Sequence, residues 1–131
     1  RRAGRNRPFY QRLRAELIEY AESRFRLSRR QADGSTLADH LRAAQTARGK
    51  RIDELHVEPL PVAAQGVFDL FTDLQNWRGS GGFGPSLLTT SDVESFLRMT
   101  GQRVTHWELE MLKVLDVTAM RVAQEGKAEN G

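Results

Sequence analysis

Apolar residues recur with a helical period along almost the whole chain, and no stretch alternates with period two over a useful length. The cleanest stripe is Val67, Leu70, Phe71, Leu74 and Trp77. A face spaced i, i+3, i+4, i+7 has to be covered by another of its kind, so the chain folds by packing helix on helix. Phe9, Leu13, Leu17 and Tyr20, widened by Ile18, Ala21 and Phe25, predict a long first helix between Pro8 and Arg30. Leu37, Leu41 and Ala44 mark a second, closed by Gly49, and Pro61 supplies the first residue of the third. Val93, Phe96 and Leu97 mark a fourth that stops at Gly101. Met111, Leu112, Leu115, Ala119 and Val122 mark a fifth that stops near Gly126. The expected core comprises Leu13, Leu17, Leu41, Leu70, Phe71, Leu74, Phe96, Leu97, Leu112 and Leu115.

Helix starts are spelled out as well. Ser91 with Glu94 and Thr105 with Glu108 both fit S/T-x-x-E, in which the hydroxyl takes one orphan backbone N–H and the carboxylate another. Val104 and Leu109 occupy the hydrophobic-staple positions around Thr105, and Thr36 with Asp39 makes a weaker capping pair. Ile52 to Leu55 reads as one short turn, and Pro59 and Pro61 hold the residues around them extended. The result is one all-α domain of about five helices. Residues 1–35 form a basic helix and turn, 36–126 the helical core and 127–131 a frayed tail, with a glycine-rich loop between helices three and four.

At 131 residues the chain suits a single domain with a substantial core. It has no cysteine, which removes disulfides, thiol catalysis and thiolate metal sites. No apolar run reaches the roughly 18 residues of a membrane span, and no signal-peptide pattern opens the chain, so a cytoplasmic setting without membrane contact is expected. The net charge of +3 hides an asymmetry. Residues 1–51 carry 14 Arg and Lys against 5 Asp and Glu, a balance of +9, whereas residues 52–131 carry 6 against 12, a balance of −6. Glu16, Glu19 and Glu22 interrupt the arginines, so the basic front reads as a solvated or protein-binding face before a nucleic-acid one. The chain begins at Arg1 rather than methionine, as a fragment, a processed product or the ordered part of a longer chain would.

Reactive groups are poorly placed for catalysis. His40, His56 and His106 show no metal-ligand spacing, and Asp69 with Asp73 lies off the apolar face of helix three, where a solvated acidic face is the simpler reading. The glycine loop lacks the Gly-Lys-Ser/Thr ending of a phosphate loop and follows no strand. No enzyme activity, metal or cofactor is expected. A binding surface is: Trp77 and Arg78 close helix three at the mouth of Gly79-Ser80-Gly81-Gly82-Phe83-Gly84-Pro85, where glycines permit tight turns while Phe83 and Pro85 bring apolar groups. The partner-binding candidates are Trp77, Arg78, Phe83 and Pro85, with the Arg24, Arg26, Arg29 and Arg30 cluster as a second face.

Several of these segments, taken in order, resemble the tail assembly chaperones of long-tailed phages and prophages, small helical proteins encoded beside the tape-measure gene. They are Phe68-Asp69-Leu70-Phe71 with Leu74, Arg78, Gly81-Gly82-Phe83-Gly84-Pro85, Thr90-Ser91-Asp92-Val93, Met99-Thr100-Gly101, Trp107-Glu108, Leu112 and Leu115-Asp116. Upstream, Asp33 to Leu41 and Leu60-Pro61 are similar too, so the resemblance runs from about Gln31 onward. It implies a non-enzymatic protein that binds the tape-measure protein, keeps it soluble, helps tail-tube subunits polymerise around it, and is missing from the finished virion. Self-association is compatible with that role. Two other classes stay open: a structural head–tail or tail connector subunit, and a small basic helical protein with weak, non-specific nucleic-acid contact through its arginines.

Overall fold

The computed structural model describes the backbone of residues 2–78 and 87–130 and the side chains of residues 7–78 and 87–128. Within them the chain is all-helical: α1 (Arg2–Leu27), α2 (Leu37–Arg48), a 3₁₀ turn (Asp53–Leu55), α3 (Val62–Trp77), α4 (Thr90–Thr100) and α5 (His106–Asn130). None of these helices is long and apolar enough to cross a membrane.

Glycine chemistry ends α2 and α4 as the sequence predicts. Gly49 and Gly101 adopt the left-handed conformation at φ 67° and 68°, and their N–H groups return to carbonyls of the last turn. The starts are set by capping boxes at Thr36/Asp39 and Thr105/Glu108. At α4, however, the box is Thr89/Asp92, not Ser91/Glu94. The chain enters the helix two residues earlier than expected, and Val93 is buried in the core. Pro61 likewise stands just outside α3 as its N-cap.

Two helix ends differ from expectation. Helix α1 starts at Arg2 and runs through Pro8, forfeiting the hydrogen bond that the proline nitrogen would donate. Helix α5 passes Gly126 and continues to Asn130. Gly126 is no cap: a Cβ there would lie 2.8 Å from Arg29 Cδ, so the glycine makes room for an arginine lying across the helix.

The core is shared by α1 (Leu13, Leu17, Ala21), the extended segment before α3 (Leu60), α3 (Ala64, Val67, Phe68, Leu70, Phe71, Leu74), α4 (Val93) and α5 (Met111, Leu112, Leu115). Helices α1 and α5 lie side by side in the same direction, since the pairs Tyr10–Trp107, Glu22–Arg121 and Arg26–Glu125 advance together. Phe25 stacks on Phe68 at 6.0 Å and Tyr20 meets it edge-on at 5.0 Å, fixing α3 across α1. Phe96 and Leu97 pack against this cluster half-buried, and Leu41 is half-buried outside it, because α2 packs chiefly on α1 and the 3₁₀ turn. Leu74 and Leu112 are 3% and 1% exposed. Leu74→Ala or Leu112→Ala should therefore cost about 2 to 5 kcal/mol through lost transfer energy and cavity formation, read as a drop in thermal or denaturant midpoint.

The capping carboxylates carry a pH dependence. Asp92 and Asp39 are held below the ordinary carboxylate range chiefly by the backbone N–H groups of Thr89 and Thr36, with the threonine hydroxyls adding to the effect. Asp33 is lowered by the Ser35 hydroxyl first, then by the Ser35 N–H and His40. A folded pKa below the unfolded value of about 3.9 gives stability that is present above that value and is lost as pH falls through the folded ones. The melting temperature should begin to fall as pH drops below about 4. Asp92→Asn should lower stability at neutral pH and flatten part of that acid slope.

Candidate partner-binding surface

Helix α3 aims its stripe at the core until Leu74, after which the surface changes character. Counted at about 100° per residue, Trp77 lies on the flank of the Val67–Phe71–Leu74 stripe, on the same ridge as Asp69 and Asp73. Its side chain is accordingly 78% exposed. Leu87, on the far side of the glycine loop, is 50% exposed. Together with Leu74, Leu88 and Phe96 these two line a groove of about 370 Å³ between α3 and α4, with Asp92 and Ser95 on its α4 side. Met99, one turn beyond Phe96, is 84% exposed. An exposed tryptophan lining the same groove as an exposed leucine is the kind of surface that gains by being covered.

Arg78 does not share this display. Its guanidinium turns inward and donates from Nη2 to Asp116 Oδ1 at 2.9 Å, with side-chain exposures of 26% and 4%. The other carboxylate oxygen of Asp116 accepts the Leu88 N–H at 2.6 Å. Asp116 sits on the core face of α5, next to Leu115 and one turn from Leu112, where a carboxylate needs such partners. Of the Trp77–Arg78 pair, then, only the tryptophan is presented to solvent, while the arginine clamps the end of α3 to α5. Phe83 and Pro85 lie outside the described residues.

The arginine cluster is elsewhere, where the end of α1 meets the last turns of α5. Arg26 Nη2 is 3.6 Å from Glu125, Arg29 crosses Gly126 toward the Val122 carbonyl, and Arg30 Nη1 donates to the Gly34 carbonyl at 2.7 Å. Arg24 is exposed, its guanidinium 5.9 Å from the centre of the Tyr20 ring. Three of the four arginines therefore hold α1 and the following turn in place. The histidines are exposed, and each stands beside one carboxylate: His40 by Asp33, His56 by Glu58 and His106 by Glu110.

The exposure of Leu87 has no sequence signal, since it falls outside every helical stripe, whereas Met99 lies off the Val93–Phe96–Leu97 face by helical counting. Asp116 had one: a carboxylate at a core-facing position of a helical stripe requires a buried cation or donor.

The model of the phage tail assembly chaperone family matches residues 44–121, more than half of the chain. The chain belongs to that family. No curated protein and no solved structure matches it. The part shared with the tail assembly chaperones contains α3, α4, the groove residues Trp77, Leu87 and Phe96, and the Arg78–Asp116 clamp. Helix α1 and its arginines lie outside the matched part.

Proposed function

We propose that this tail assembly chaperone binds the tape-measure protein through the Trp77 groove, keeps it soluble, and helps bring tail-tube subunits to it. It acts in the cytoplasm of the bacterial host and leaves before the virion is complete. The observation that carries this reading is the 78% exposure of Trp77 at the end of an otherwise buried stripe, beside Leu87 and Phe96. A tryptophan displayed by a clamped helix end offers a large contact area with little side-chain freedom to lose on binding. The work required is reversible covering of an apolar segment, which needs shape and apolar area rather than a reacting group.

The test is co-expression with the neighbouring tape-measure and tube genes. The tape-measure protein should become soluble and be retained with the tagged chain, and purified particles should lack the chain. Stoichiometric retention in finished virions would instead make it a connector subunit.

A further inference from the structure

We propose that the Trp77 groove selects an amphipathic helix whose apolar face is flanked by lysine or arginine. This rests on the docking reading above and adds the charge of the occupant. The ridge of α3 that ends in Trp77 carries Asp69 and Asp73 at successive helical turns, both exposed. Among the described residues Asp69 accepts a hydrogen bond from Gln65 Nε2 at 2.9 Å and has no ion-pair partner, and Asp73 has no partner of either kind. The groove's own cation, Arg78, is paired with Asp116 and also helps hold Asp92 in its charged form. Its remaining carboxylate, Asp92, caps α4, where the Thr89 N–H favours the charged form.

An arriving helix therefore meets an uncovered indole, apolar walls and, along the ridge at Asp69 and Asp73, negative charge that no cation among the described residues pairs with. No guanidinium or ammonium among the described residues stacks on the indole. A tryptophan face is the strongest aromatic acceptor for a cation, and nearby carboxylates add to the attraction. Acidic helices would meet like charge without compensation, and uncharged apolar helices would leave both aspartates unused. A basic flank beside apolar anchors satisfies both features of the surface.

The experiment uses the full chain and overlapping peptides of about 25 residues tiling the tape-measure protein, with binding followed by fluorescence anisotropy at about 50 and about 200 mM salt. The tightest peptides should carry Lys or Arg within one turn of their apolar residues. Asp69→Asn with Asp73→Asn should weaken them about tenfold at low salt and reduce the salt dependence, and Asp73→Lys should weaken them further. Both sites are exposed, and an unchanged circular dichroism spectrum and melting temperature will show that these variants fold. If the charge variants bind as tightly as the parent while Trp77→Ala loses the peptides, the basic flank is overturned and the docking site stands. The same holds if the tightest peptides are acidic or uncharged. If Trp77→Ala binds like the parent, or no peptide binds the parent, the docking reading falls and this inference with it.

Discussion

Trp77→Ala should abolish solubilisation of a co-expressed tape-measure protein while leaving the helical signal and melting temperature of the chain essentially unchanged. At 78% exposure the indole contributes little to the core, so its removal opens no cavity. Truncating a tryptophan at the centre of an interface costs about 2 kcal/mol or more, roughly a thirtyfold loss of affinity. Retention of the tape-measure protein on the tagged chain, measured beside a thermal melt, separates the outcomes. A variant that melts early would mean the indole supports the fold. A variant that folds and still retains the partner would place the binding surface elsewhere.

Arg78→Ala should do the opposite, damaging the fold before it touches binding. The substitution leaves Asp116, 3% exposed, with a buried carboxylate that has lost its cation. Breaking a buried pair from one side costs about 3 to 5 kcal/mol, and the quarter exposure of the guanidinium argues for the lower end. For a domain of this size that corresponds to a fall of roughly 10 °C in Tm. Arg78→Lys should recover part of it, keeping the charge but losing the planar donor geometry. If Arg78→Ala melts with the parent, the clamp contributes nothing and the end of α3 is held by apolar packing alone.

The contrast between these adjacent residues shows how far the sequence could be read. Periodicity located all five helices because each stripe is continuous, and glycine located the ends of α2 and α4 because a left-handed φ is cheap only there. The Thr105/Glu108 box was legible for the same local reason. What could not be read was tertiary. Gly126 has the sequence appearance of a stop, but its function is set by Arg29, nearly a hundred residues away, lying across it. Thr89/Asp92 and Ser91/Glu94 both satisfy a capping pattern, and the burial of Val93 accompanies the choice of the first. Leu41 falls outside the main core because α2 packs chiefly against α1 and the 3₁₀ turn. The inward turn of Arg78 depends on Asp116, which periodicity places on the core face without naming its partner. The membership in the chaperone family was carried by the order of several weak segments, and it is the part of the functional reading that the family match supports.

Asp116 receives the side chain of Arg78 with one oxygen and the backbone of Leu88 with the other, so a single carboxylate holds the chain immediately before and just after residues 79–86. The anchors belong to α5 and not to the chain between them. Asp116 is therefore a single point of failure for both rims of the groove: the residues next to Trp77 and Leu87 lose their common anchor together when that carboxylate is removed.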